Sequence, residues 1–283
     1  MSDPALTPGL DLDGLEAMRR RLAVWSIRTT TRAGSGHPST CLSASHLVTA
    51  LFFGDIMRYD PQQPDWPDRD RFVLSKGHAA PILYAALAER GAFPTEDLMQ
   101  LRDIDSPLEG HPNMRRLPWA EASTGSLGQG LSIGVGMALA ARLQGRDFRV
   151  FTLMGDGEVN EGQVWEAAMS ADKYALDNLV AIVDRNGYQQ TGASDLVLPL
   201  QPLPEKWRAS GWEVFDIDGH DWGAVTRALR AAVDVRGRPA VIIARTVKGY
   251  GVSQFTEDSG NKYHGVPLNE ADAERAIEEV LGA

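Results

Sequence analysis

Asp156, in Gly155-Asp156-Gly157, and Asn186, in Asp184-Arg185-Asn186, stand thirty positions apart (186 − 156). A hard divalent cation takes oxygen ligands, and two neighbouring strand ends could present a carboxylate and an amide carbonyl to it. Gly-Asp-Gly alone is as readily a strand-ending turn whose Asp caps the next helix. The fuller pattern of strand, Gly-Asp-Gly, helix, strand and Asn favours the ligand reading. Histidines form the second set. Of the six, His37, His78, His111 and His220 each follow a glycine, and His264 precedes one. Such settings belong to loops that bring backbone close to a ligand. A neutral imidazole can pass protons near neutral pH and bond hydroxyls without adding permanent charge. His46, in Ser45-His46-Leu47-Val48, falls on an expected helix and reads as structural. His220 ends Asp218-Gly219-His220 and reads as a turn or cap residue. That leaves His37, His78, His111 and His264 as site candidates. Zinc is a rival use for them, but they lack compact ligand spacing. Lys248 either neutralises an anion or sits on the surface after the last strand.

The elements that must position these groups follow from apolar runs. Arg149–Met154 and Leu179–Val183 read as buried strands, with a helix at Gly162–Leu176 between them. Asp156 and Asn186 then fall at the carboxyl ends of successive strands, where open α/β sheets bind ligands. Arg71–Leu74, Trp212–Asp218 and Ala240–Ala244 are further strands; Pro81–Glu89, Trp222–Val233 and a polar Asn269–Leu281 are helices. Leu131–Ala141, with Gly134 and Gly136, reads as a buried helix with close neighbours. The Gly125–Gly130 segment before it either cradles a phosphate or begins that helix loosely. Proline-rich Tyr59–Asp70 and Asp195–Glu205 read as loops. Repeated βα units imply an α/β fold, a mostly parallel sheet with helices on both faces, spanning residues 1–283 as one domain.

The bulk composition bounds the function. A chain of 283 residues that is 43% hydrophobic can bury a large core. Its net charge of −10 (28 − 38) argues against a nucleic-acid partner. Arg19-Arg20-Arg21 reads as the solvated side of a first helix. The single cysteine, Cys41, excludes an intramolecular disulfide, fits a reducing cytosol and reads as a buried thiol. Met1–Leu12 lacks a cationic apolar signal segment, and no apolar run approaches membrane-spanning length, so a soluble, cytoplasmic protein is expected.

The motifs together resemble those of thiamine-diphosphate enzymes, and most closely the transketolase family. The resemblance is carried by Gly34-Ser35-Gly36-His37-Pro38, Leu74-Ser75-Lys76-Gly77-His78-Ala79-Ala80, Gly110-His111-Pro112 and Thr124-Gly125-Ser126-Leu127-Gly128-Gln129-Gly130. It continues through Gly155 to Gly162 with Trp165-Glu166-Ala167, then Asp218-Gly219-His220, Lys248-Gly249 and His264-Gly265. It implies a thiamine-diphosphate-binding fold with Mg²⁺, for which Ca²⁺ or Mn²⁺ could substitute, held by Asp156, Asn186 and the backbone carbonyl of Tyr188. The Tyr188 side chain is then unconstrained. His78, the backbone of Gly157, Lys248 and His264 would serve the diphosphate end, Thr40 would be a further cofactor contact, and Gly125, Ser126 and Leu127 would line the thiamine pocket. His37, His264 and His111 would face the sugar. Glu161 and Glu166, expected one to two turns into the helix, would join an acid network at a subunit interface.

The family's cofactor-activating glutamate and its substrate-phosphate arginines lie in domains beyond the matched region. The resemblance therefore implies the N-terminal subunit of a split transketolase. A separately encoded C-terminal subunit would complete a heterotetramer that moves a two-carbon ketol unit between sugars or sugar phosphates. Another thiamine enzyme, a transketolase for an unusual sugar, or a non-catalytic cofactor-binding module are the alternatives. Lys248–His264 is slightly longer than the family's segment, and Ser39-Thr40 varies within its loop; both could alter donor choice.

Overall fold

Apolar runs rich in Val, Ile, Leu and Phe form the sheet, as their length and flanking turns require. The computed structural model describes residues 9–257 and 261–282. Its strands are β1 (Arg71–Leu74), β2 (Val150–Gly155), β3 (Leu179–Arg185), a short hairpin of β4 (Tyr188–Gln189) and β5 (Gly192–Ala193), then β6 (Glu213–Asp218) and β7 (Ala240–Arg245). The main sheet runs β1-β2-β3-β7-β6 with every pair parallel. Gly155 is in register with Asp184, so Asp156 and Asn186 emerge side by side from adjacent strands.

Alternation along each strand builds two cores. Phe151, Leu153, Val180, Ile182, Ala240 and Ile242 point to one, and Val150, Met154, Ala181, Val183, Val241 and Ile243 to the other. The first core is covered by α1 (Leu12–Ala33), α2 (Pro38–Ser43), α3 (Ser45–Phe53) and α4 (Ala80–Glu89). On the opposite face pack α5 (Gln129–Leu143), α6 (Gly162–Lys173) and, after a single turn α7 (Ser194–Val197), α8 (Leu203–Ala209). The chain then returns to the first core with α9 (Trp222–Asp234), α10 (Ser253–Thr256) and α11 (Glu270–Leu281). Helix ends follow side-chain chemistry: Asp11, Asp221 and Asn269 each accept an orphan N–H at the start of α1, α9 and α11. Gly134 permits the approach of α5 to β2, since a Cβ there would lie 2.6 Å from Thr152 Oγ1; Gly136 faces open space.

Three expectations change. Arg19 is not solvated but 4% exposed, held by Glu16 in a bidentate pair. Asp195–Glu205 is not all loop, because α7 and the first turn of α8 fall within it. Glu161 is the N-cap residue of α6 rather than a residue inside it, since a separate 3₁₀ turn, Glu158–Asn160, intervenes after Gly157. Residues 1–8 of the N-terminal segment lie outside the described residues. Among the described residues no helix is long and apolar enough to cross a membrane.

Candidate cofactor site

Parallel strands place every following turn at one edge of the sheet, and there the candidate residues converge. A cleft of about 340 Å³ is lined by His37 and Thr40 from α2 and its cap, His78 after β1, Gly125 and Leu127 before α5, and Asp156 and Gly157 after β2. Asn186 and Tyr188 after β3, Lys248 after β7, and His111 and His264 from longer loops also line it, as do Lys76, Glu158 and Glu161. Of the residues expected from the sequence, Ser126 alone does not line the cleft; it is exposed beside Gly125.

At the centre Asp156 is 2% exposed. Its Oδ1 accepts the Gly157 N–H at 2.8 Å, and Oδ2 accepts the Gly187 N–H at 2.8 Å and the Ser194 hydroxyl at 3.1 Å. Burial, followed by the nearby charge of Asp184, pushes its carboxyl up to about 6 against those three bonds. A carboxylate in that position gains most from a cation that restores its charged form. The Asn186 amide is oriented by its Nδ2, which faces Ser43 Oγ at 3.3 Å, while Oδ1 accepts the Tyr188 N–H at 3.1 Å. Among the described residues no three His, Cys, Asp or Glu side chains gather as a metal-binding group. The set of Asp156, Asn186 and the Tyr188 carbonyl contains only one such side chain, and its hard oxygens suit Mg²⁺, Ca²⁺ or Mn²⁺.

The histidines form a neutral cluster. Ring centroids are 5.2 Å apart for His37 and His78, 5.6 Å for His37 and His264, and 5.9 Å for His78 and His264. Burial, then the charges of His111, Arg102, Lys248 and Lys76, lowers His37 to about 4. Burial and Lys248 lower His264 to about 3. His78 is driven well below the usual range by burial and Lys76, and His111 is lowered by burial and Arg102. His37 Nδ1 is buried without a hydrogen-bond partner among the described residues. His111 packs so closely on Gly125, at φ 131°, that a Cβ there would sit 2.8 Å from the imidazole. Lys248 is 8% exposed, which excludes the surface reading; its Nζ meets His264 Nδ1 at 2.8 Å and also bonds Asn261. It lies 5.3 Å from the Tyr188 ring centroid, so the Tyr188 side chain is engaged rather than unconstrained.

Three charged residues have roles that the sequence reading did not assign. Lys76 and Asp184 form an ion pair, with side chains 1% and 0% exposed, directly behind Asn186. Burial would raise the Asp184 carboxyl, but the Lys76 ammonium and the Ser43 and Thr246 hydroxyls hold it below the usual range. Glu158 accepts from Ser75, from Gly128 N at 3.0 Å and from Gly155 N at 3.1 Å, tying three site loops together. Burial raises its carboxyl against those bonds. The available signal for two of them was a charge at or just after the end of an apolar run: Asp184 ends Leu179–Val183, and Lys76 follows Phe72-Val73-Leu74 after Ser75.

A parallel sheet with a polar, histidine-rich cleft, a buried Asp156 and a half-buried Asn186 at its carboxyl edge defines a cofactor-binding α/β domain. The chain belongs to the transketolase family: residues 16–282 match the family described as "Transketolase, thiamine diphosphate binding domain". It is 45% identical over 278 residues to a transketolase-like protein 2 of Bos taurus, covering 98% of this chain and 44% of that protein. It is 46% identical over 226 residues to the 6-deoxy-6-sulfo-D-fructose transketolase subunit of Clostridium sp. (strain MSTE9), covering 80% of this chain and 82% of that one. The crystal structure of Campylobacter jejuni transketolase superposes with a TM-score of 0.88 at 32% identity, covering 96% of this chain and 43% of that chain. The chain thus spans less than half the length of the Bos taurus and Campylobacter jejuni proteins.

Proposed function

We propose that this chain holds the diphosphate end of thiamine diphosphate, with Mg²⁺, in a transketolase that moves a two-carbon ketol unit from a ketose or ketose phosphate to an aldose or aldose phosphate. The observation that carries this reading is the convergence of Asp156, Asn186, Lys248 and a neutral histidine cluster in one cleft at the strand ends. Asp156, the Asn186 amide oxygen and the Tyr188 carbonyl hold the cation; His78, Lys248 and the Gly157 N–H take the diphosphate. Thr40, Gly125, Ser126 and Leu127 bound the rest of the cofactor. His37, His264 and His111, kept neutral by burial, bond sugar hydroxyls and carry protons there without adding charge. When bound, thiamine diphosphate supplies the electron sink for carbon–carbon cleavage.

The active assembly, in this proposal, is a cytoplasmic heterotetramer with a separately encoded C-terminal subunit, met by the face that carries Glu161 and Glu166. The likeness to a protein itself named a transketolase subunit, matched over 82% of its length, supports this. That same likeness supports a second reading in which the donor is a sulfonated ketose. The test is to purify the chain alone and with its genomic neighbour, then assay ketol transfer with thiamine diphosphate and Mg²⁺ from ketose phosphates and from 6-deoxy-6-sulfofructose. Transfer only by the pair is expected. Full activity from the chain alone overturns the two-subunit reading, and no transfer from any donor overturns the transketolase activity.

A further inference from the structure

His46 and His220, the two histidines outside the cleft, face each other behind it. Their Nδ1 atoms are 3.1 Å apart, and His220 Nε2 accepts the Val247 backbone N–H at 2.8 Å. The second bond decides the first. A nitrogen that accepts carries no proton, so neutral His220 bears its proton on Nδ1 and donates it to His46 Nδ1. His46 then carries its own proton on Nε2. Surrounding rings hold both in place: His46, 2% exposed, lies 4.5 Å from Trp222 between centroids, and His220 stacks on Tyr250 at 3.7 Å and 17°. The Arg19 guanidinium sits 5.4 Å over that Tyr250 ring.

The bonded amide belongs to the residue before Lys248. Val247 is 46% exposed, so side-chain packing does little to hold it, and the bond to His220 is its anchor. On either side Thr246 bonds Asp184, and the Gly249 N–H donates to Ser39 O at 2.8 Å. Lys248 projects from this turn to His264 Nδ1 and the cleft. We propose that His46 and His220 are positioning residues, a tautomer-locked relay that fixes the Val247 amide and thereby aims Lys248, with His264, at the bound diphosphate. This rests on reading the cleft as a cofactor site.

Two measurements test it. In ¹⁵N-histidine NMR of the chain without cofactor, His220 should be the Nδ1–H tautomer alone and His46 the Nε2–H tautomer; an Nε2–H His220 overturns the relay. His46→Phe keeps a ring against Trp222 and Tyr250 but removes the acceptor, so His220 should keep its tautomer through Val247 while its Nδ1–H signal shifts on losing its partner; an unmoved Nδ1–H signal also overturns the relay. Affinity for thiamine diphosphate with Mg²⁺ is then measured on the chain with its partner subunit. His220→Ala and His220→Asn should weaken binding about five- to tenfold, the worth of one hydrogen bond. His220→Gln, whose amide oxygen reaches the Nε2 position, should stay within about twofold of wild type. Equal losses in all three, or none in His220→Ala, overturn the positioning role. If the wild-type pair binds no cofactor, the reading of the cleft fails, while the tautomer signatures still judge the relay separately.

Discussion

If Asp156 holds the proposed cation, it links metal binding to pH. Its folded carboxyl is raised to about 6 from an ordinary 3.8, so the cation-free chain binds this proton more tightly than the unfolded chain does. The resulting stabilisation is fully present below pH 3.8 and is lost as pH rises through 6; two units correspond to about 3 kcal/mol. Mg²⁺ with thiamine diphosphate should therefore raise the melting temperature of the assembled pair more at pH 8 than at pH 5; equal shifts in calorimetry would contradict this. Lys76→Met leaves Asp184 buried and uncompensated, and should cost about 3–5 kcal/mol in urea unfolding. A loss below about 1 kcal/mol would mean that the pair carries little weight. Most cleft residues were legible in the sequence because they sit beside glycine in loops, whereas Thr40, inside α2, carries no such local sign. Lys76 and Asp184 are 108 residues apart, and His46 and His220 are 174 apart. Pairs of that kind depend on helix placement and strand order, which local patterns do not encode.

At the scale of elements, the strands and long helices were legible because their apolar runs fill one face or both. The short pieces were not: α7 and the 3₁₀ turn before α6 are too brief to show a period. The turn after β7 matters most, since it carries Lys248. Gly249 lies at φ 74°, and a Cβ there would fall 2.1 Å from Phe255 Cβ. Gly249→Ala should cost about 2 kcal/mol or more and weaken cofactor binding by displacing that turn. Gly145, at φ 64° with open space around it, is the matched control; its alanine variant should cost only about 1 kcal/mol and leave cofactor binding unchanged. Equal unfolding midpoints for the two variants would show that the contact with Phe255 is unimportant.

For the whole molecule, the parallel order β1-β2-β3-β7-β6 gathers residues from His37 to His264 at one edge. The alternating pattern implied the layers, but strand order required long-range packing that the sequence displays only indirectly. On the partner-facing side proposed for Glu161 and Glu166, Met169 is 59% exposed, about one turn beyond Glu166 in α6. Met169→Glu should weaken assembly with the second subunit at least tenfold by analytical ultracentrifugation; unchanged association would move that interface elsewhere. The central claim is that Asp156 and Asn186 anchor a diphosphate through a divalent cation. Isothermal titration of thiamine diphosphate into the assembled pair tests it most directly. The account predicts binding with Mg²⁺ that disappears with a chelator and in Asp156→Ala; undiminished, metal-dependent affinity in Asp156→Ala would contradict it.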